Sequence, residues 1–223
     1  MGWKLNAKNN FSIIIPAYNE EKLIANSLSS LALFLPTNCT EIIVICNGCQ
    51  DQTYAVAKKT IDTITSSLTA HCNFLLINLK INGKINALNE GVKLSCNKTV
   101  VLLDADIKVS SADCAVLVKT LYEHSLLAAS PKVIFDFDKS NYLVKRFYAC
   151  ISQSTYNKQH RIANVIALTP CAVNKLFPLP QVIADDAYIQ RIIGYKKYKI
   201  INKLTYKFTC PETLISTIKV QSR

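Results

Sequence analysis

Glycine and proline are scarce in this 223-residue chain, 5 and 7 residues, and charged residues make up only 18%, which excludes collagen-like, low-complexity and disordered chains. Long hydrophobic runs are missing too. Stretches such as Leu31–Leu35 and Val100–Leu103 fall far short of the ~20 residues that cross a bilayer. No basic n-region, apolar h-region and cleavage site opens the chain, so the expectation is a cytoplasmic protein without a secretory signal. Paired cysteine or histidine ligands are lacking as well. Cys46 and Cys49 form one C-x-x-C, but no second pair stands at zinc-ligand spacing. The nine cysteines are scattered and odd in number, as in reduced proteins.

What is present is apolar and basic. Half the residues are hydrophobic, enough for a chain of this length to bury roughly 70% of its extended surface without a staple. Lysine and arginine total 26 against 15 acidic residues, a formal charge of +11 that favours anionic partners, whether phosphorylated small molecules, lipid headgroups or nucleic acid. No nucleic-acid recognition module accompanies it, so nucleic acid is not an expected partner.

The periodicity alternates between strand and helix. Phe11–Ile15 is a β-branched apolar run, and Asn19 after it is expected to cap a helix striped by Leu23, Ile24, Leu28, Leu31 and Leu35. Glu41–Ile45 reads as the next strand, followed by the turn Cys46–Asp51 and a helix with Tyr54, Ala57, Ile61, Ile64 and Leu68 on one face. Phe74–Ile77, a helix over Lys84–Leu94, the strand Thr99–Leu103, a helix capped by Ser110 or Ser111, and a strand over Leu126–Val133 complete the readable part. Between Asp136 and Pro180 the pattern loosens. Short loops and βα alternation predict an α/β fold, one mostly parallel central sheet with helices on both faces. A single domain is expected over residues 1–223, with a nucleotide-binding half over about 10–107 and an acceptor and catalytic half over about 108–223.

Ligands of parallel sheets bind beyond the carboxyl ends of the strands. Three strand ends carry polar residues: Tyr18-Asn19-Glu20, Asn47 to Asp51, and Asp104-Ala105-Asp106. Asn and Asp are ordinary turn residues, yet the last group resists that reading. Two carboxylates at i and i+2 on an extended segment face one side, about 7 Å apart, and they repel unless a cation lies between them. Their hard oxygens suit Mg²⁺ or Mn²⁺ shared with a diphosphate. The glycine fingerprints of dinucleotide and P-loop sites are absent, since PAYNEE follows the first strand. An aspartyl phosphatase would want Thr or Val at Lys108.

SIIIPAYNEEKLIANSLSSL, EIIVICNGCQDQT, GKINALNEG, VVLLDAD and PLPQVIADDAYIQRIIGYK, in that order, resemble the GT-A glycosyltransferases of family 2. The resemblance covers roughly Phe11–Lys196. It implies the GT-A fold and a divalent-metal-dependent, inverting transfer from a nucleotide-diphosphate sugar to a glycan or lipid-linked hydroxyl. By the same resemblance Pro16, Ala17, Tyr18 and Glu20 line the nucleoside pocket, Asn47 and Asp51 lie near base and ribose, and Lys84 approaches the base or the pyrophosphate. Asp104 and Asp106 match the D-x-D that holds ribose and Mn²⁺ or Mg²⁺; Asp186 matches the catalytic base, with Asp185 at the usual Glu position. A uridine diphosphate donor is favoured by the family alone. Cys49 departs from the usual Ser, and Arg191 follows the acidic pair one residue early.

Chemistry agrees with these roles. The leaving diphosphate needs cationic stabilisation, from the ion and Lys84, and the attacking hydroxyl needs one carboxylate to take its proton. An ordinary Asp titrates near about 4, so like-charge repulsion within Asp185-Asp186 is expected to raise one of them. The plainer reading makes the pair a helix cap. A sugar-phosphate nucleotidyltransferase and a non-catalytic nucleotide-sugar binder are the alternatives. Beyond Asp186 the chain is basic, with Arg191, Lys196, Lys197, Lys199, Lys203, Lys207, Lys219 and Arg223 against Glu212. Tyr195, Tyr198, Tyr206 and Phe208 interleave with them, a pattern that suits either a solvated edge or peripheral contact with the inner face of a membrane. The chain stops at Gln221-Ser222-Arg223 without the Q-x-x-R-W of the processive membrane enzymes, so processive synthesis is not expected.

Overall fold

The computed structural model describes residues 10–33, 35–67 and 72–221; Leu68 and Arg223, and the side chain of Lys219, lie outside the described residues. Seven strands form one sheet in the order β3-β2-β1-β4-β6-β5-β7. These are β1 (Phe11–Ala17), β2 (Cys39–Asn47), β3 (Asn73–Leu79), β4 (Thr99–Leu103), β5 (Ala128–Asp136), β6 (Val165–Leu168) and β7 (Tyr198–Thr209). Strand β6 alone runs antiparallel, against both β4 and β5. The other neighbours pair in parallel.

Alternation along the strands splits the core between two faces. In β1, Ile13 and Ile15 join the layer under α1 (Ile24–Ala32), α2 (Thr53–Ser67) and α4 (Ser111–Glu123). Ile14 turns the other way, to the layer under α3 (Lys84–Leu94), α6 (Pro170–Leu176) and α7 (Asp185–Ile193). Burial on both faces is why this strand reads as a continuous apolar run. Pro16 is tolerated because the pairing of β1 with β4 ends at Ile14, so no donor is missed there. Helix α3 approaches β1 closely at Gly91, where a Cβ would stand 2.4 Å from Ile14 Cγ2.

Two expectations change. Asn19 does not cap α1, which starts at Ile24 without a side-chain cap or an acidic first turn. Asn19 instead takes a left-handed φ of 55°. It belongs to a bracket between two loops: Asn19 Oδ1 accepts from Gln50 N–H at 2.8 Å, Thr53 Oγ1 from Glu20 N–H at 2.7 Å, and Asp51 Oδ2 from Glu21 N–H at 3.2 Å. Side chains that saturate a neighbouring loop compete with helix initiation. The unread stretch resolves into α5 (Tyr142–Gln153), β6 and α6, with α8 (Leu214–Gln221) closing the chain. Of the caps weighed for α4, Ser110 serves, accepting from Asp113 N–H at 3.0 Å.

Candidate active site

Strand order reverses around β1, with β2 and β3 on one side and β4 on the other, and a crevice opens at such a switch point. A cleft of about 250 Å³ lies beyond the carboxyl end of β4, lined among others by Lys84, Asp104, Arg161, Asn164, Asp185 and Asp186. Lys84, the first residue of α3, spans it. Its Nζ stands 2.8 Å from Asp104 Oδ1 and 3.2 Å from Asp185 Oδ2. Three motifs far apart in sequence thus meet at one cation.

The Lys84 side chain is 43% exposed, Asp104 23% and Asp185 15%. Burial would push the Lys84 ammonium down, but Asp104 and then Asp185 outweigh it and hold it above the ordinary lysine range. Asp185 moves up. Burial is the main cause, opposed by Lys84 and reinforced by Asp104 and then Asp186. Repulsion within the acidic pair, expected as the chief cause, is therefore a minor one. Nor does the pair cap a helix: Ala184 is the N-cap of α7, and both aspartates sit in its first turn. Asp186 Oδ1 accepts from Ala187 N–H at 2.7 Å, and the residue lines the cleft.

The Asp104-Ala105-Asp106 segment is a turn. Strand β4 ends at Leu103, and Ile107 N–H donates to Asp104 O at 3.1 Å. This replaces the expected extended run, because the chain must reverse to start the next helix. Asp104 is held on three sides. Asn164 Nδ2 donates to its Oδ2 at 2.8 Å, the Asn164 carbonyl accepts from its N–H at 2.8 Å, and Lys84 takes Oδ1. The Tyr206 hydroxyl in turn shares its one proton between Asn164 Oδ1 at 2.9 Å and Ala163 O at 3.1 Å. Burial pushes that hydroxyl up, which keeps it a donor. Sequence reasoning missed Asn164 and Tyr206. The one available clue was an Asn, a residue that tolerates the left-handed φ of 59° found here, within a stretch of no clear period.

The remaining expected site residues split into two kinds. Pro16 and Ala17 are buried in β1 and Tyr18, just past its end, is half-buried; none of the three is among the residues that line the cleft. Asn47 is buried and structural: its Nδ2 donates to Ala17 O at 2.9 Å and its Oδ1 accepts from Gly83 N–H at 3.2 Å, tying β1, β2 and the start of α3 together. Gly48 follows with a φ of +67°, and a Cβ there would meet Asn82 N at 2.8 Å. Asp51 anchors α2, accepting from Thr53 N–H at 2.9 Å. Burial opposes its charge, but the Thr53 hydroxyl and the Thr53 and Glu21 N–H groups hold its carboxyl below the ordinary value. Cys46 is buried, its thiol pushed up to about 12, and Cys49 donates to Ala17 O at 3.4 Å.

Mn²⁺ or Mg²⁺ is satisfied by one or two carboxylates plus substrate phosphates. Asp106, exposed in the turn after β4, carries such a hard oxygen donor type; both oxygens of Asp104 are engaged by Asn164 and Lys84. Among the described residues no group of three or more Asp, Glu, His or Cys converges for a metal, so protein ligands alone do not complete a shell. The donors fit an ion completed by diphosphate.

The basic tail also differs from expectation. Lys199, Lys203 and Lys207 are exposed along β7, an edge of the sheet, but Tyr198 and Tyr206 point inward and are buried. Of the interleaved tyrosines only Tyr195 is exposed. No helix among the described residues is long and apolar enough to cross a membrane.

The family model for glycosyl transferase family 2 matches residues 12–179, and the chain belongs to that family. Its α/β architecture is the GT-A fold. A poly-beta-1,6-N-acetyl-D-glucosamine synthase of Staphylococcus epidermidis is 37% identical over 97 residues, 43% of this chain and 21% of the relative. The chain thus spans about a fifth of that relative's length. Among solved structures, the mannosyltransferase PcManGT of Pyrobaculum calidifontis, in complex with GDP-Man and Mn²⁺, superposes with a TM-score of 0.70 at 20% identity, over 95% of this chain and 61% of that one. S. aureus TarS in complex with UDP-GlcNAc gives 0.66 at 18% identity, over 91% and 59%.

Proposed function

We propose that the chain carries out an inverting, divalent-metal-dependent glycosyl transfer from a nucleotide-diphosphate sugar to a hydroxyl of a glycan or lipid-linked acceptor. The observation that carries this reading is Lys84 bridging Asp104 and Asp185, which gathers the D-x-D turn, the start of α3 and the acidic motif on one cleft. A uridine diphosphate donor agrees with the UDP-GlcNAc of TarS, whereas PcManGT holds GDP-Man.

Asp106 would hold Mn²⁺ or Mg²⁺, which supplies Lewis-acid neutralisation of the diphosphate when bound. Lys84 gives a second cation, and the N-terminus of α3 adds partial positive charge beside it. Asp104, fixed by Asn164, keeps Lys84 in place and presents its edge to the ribose. Pro16, Ala17, Tyr18 and Glu20 form the wall against which the nucleoside lies, and Asn47 and Asp51 shape that wall from behind. Asp186 accepts the proton of the acceptor hydroxyl as its oxygen bonds to the anomeric carbon. The bond to the diphosphate breaks with its electron pair on the leaving oxygen, and attack from the opposite face inverts the centre. Asp185 acts through Lys84. Peripheral contact with the inner face of a membrane through Lys199, Lys203 and Lys207 would suit a lipid-linked acceptor.

Transfer or hydrolysis from a labelled nucleotide-sugar panel, with Mn²⁺ and with EDTA, tests the reading. Metal-dependent release of nucleoside diphosphate is expected. Binding without turnover would leave the non-catalytic alternative; cleavage to a sugar phosphate and a nucleoside monophosphate would favour the nucleotidyltransferase.

A further inference from the structure

Beside the cleft, along α7, stands an aromatic group that the proposed chemistry leaves unused. Gln190 organises it. The amide is buried; its Oε1 accepts from the Tyr156 hydroxyl at 2.7 Å, and its Nε2 donates to the Tyr198 hydroxyl at 3.1 Å and to the His160 carbonyl. The Tyr198 hydroxyl donates to that same carbonyl at 2.9 Å. The Tyr195 ring stands edge-on to the His160 imidazole, centroids 5.3 Å apart at 86°, and leans against Tyr198 at 5.8 Å. These bonds fix the rings without covering them: Tyr195 is 67% exposed and Tyr156 44%.

The ledge is continuous with the cleft. Asp186 and Gln190 are one turn apart on α7, neighbours at roughly 6 Å. His160 adjoins Arg161, which lines the cleft together with Asp186. Burial, and after it the Asp186 carboxylate, raises the Tyr156 hydroxyl, as expected of near neighbours. An acyl chain on this ledge would place the Tyr195 hydroxyl and the His160 imidazole against hydrocarbon, with the Arg161 guanidinium close by. A pyranose has one C–H face for an aromatic ring and hydroxyls around its edge for those polar groups.

We propose that Tyr195, Tyr156 and His160 form the acceptor subsite, and that the acceptor is a saccharide whose ring lies on Tyr195 with one hydroxyl turned toward Asp186. This rests on the reading of Asp186 as the proton acceptor, and it narrows the glycan or lipid-linked acceptor to its sugar portion.

The test fills the donor site with uridine diphosphate and Mn²⁺ and follows three soluble oligosaccharides by saturation-transfer NMR: a β-1,6-linked N-acetylglucosamine pentamer, cellopentaose and maltopentaose. At least one is expected to bind. Tyr195→Ala should weaken it about tenfold, while Tyr195→Phe, which keeps the ring, should stay within about twofold. Tyr156→Ala provides a second reading should Tyr195→Ala fail to fold, and thermal melts of both report folding. If none of the three binds the unmodified chain, or if both alanine variants bind as well as it does, the proposal is wrong. It is equally wrong if phosphatidylglycerol vesicles, and no oligosaccharide, lose affinity in these variants. Calorimetry with UDP- and GDP-sugars separates the two readings: heat from nucleotide sugar without oligosaccharide binding removes only the ledge, whereas no heat from any nucleotide sugar removes the donor cleft itself.

Discussion

The central strands β1, β2 and β4 and the edge strand β7 are built differently. Strands β1, β2 and β4 are flanked on both faces and along both edges, and every residue of β1 and β4 is buried. Strand β7 lies at the sheet edge and alternates, burying Tyr198, Ile200 and Tyr206 while Lys199, Lys203 and Lys207 face water. The central strands form a buried platform whose β4 end opens into the cleft; the edge strand supplies Tyr206, which holds Asn164 against Asp104. Stability should therefore be concentrated in the first and site geometry in the second.

The largest expected effect breaks the chemistry and spares the platform. Asp186→Asn should lower glycosyl transfer by about 10²- to 10⁴-fold with the melting temperature unchanged, in a labelled-donor assay paired with thermal melts. Full turnover by that variant would remove Asp186 from the mechanism.

Next comes a direct contrast of the regions. Ile14→Ala, in the buried centre of β1, should cost about 2–5 kcal/mol in denaturant unfolding. Ile201→Ala, half-buried in β7, should cost clearly less. Equal costs would abolish the contrast. Gly91→Ala tests the platform from the other side: its Cβ would press on Ile14, and about 1–3 kcal/mol of overpacking is expected.

Lys84→Met joins the two regions. Because Lys84 is partly exposed, losing its bridges should cost only about 1–2 kcal/mol at neutral pH. The pH dependence carries the finer test. Asp185 has a raised folded-state value, so its burial favours the fold at low pH, and that contribution is lost as pH rises through the folded value. Without Lys84 the charged form has lost its counter-ion, so the stability deficit of Lys84→Met should shrink as pH falls and Asp185 protonates. A deficit independent of pH would mean that Asp185 does not depend on Lys84.

The smallest effect is expected at the anchor of α2. Asp51→Ala should cost about 1 kcal/mol. Asp51 has a lowered folded-state value, so its stabilisation is present at neutral pH and fades as pH falls through that value; wild type and variant should converge in acid. Convergence at high pH instead would contradict the assignment.

Legibility follows the same division. The apolar runs of β1, β2 and β4 were read correctly because burial on both faces demands unbroken β-branched sequence, and the D-x-D stood out where such a run stopped. Strand β6 is four residues long and α6 seven, too short for a period to register. The cap assigned to Asn19 failed because its partner was a loop some thirty residues away, invisible to a local rule. Asn164 escaped notice for the same reason: its meaning lies in contact with Asp104 and Tyr206.

By itself the sequence determined the α/β class, the positions of the first strands along the chain, the family and the residue types of the candidate site. These depend on period, composition and local motif. Only the tertiary structure decided that Lys84 would bridge Asp104 and Asp185, that Asn47 would be a strut, that burial rather than repulsion would raise Asp185, and that Tyr195 would face solvent while Tyr198 and Tyr206 turn inward. Those outcomes are set by contacts between distant segments, whose energies depend on how the chain closes in space and leave no period along it.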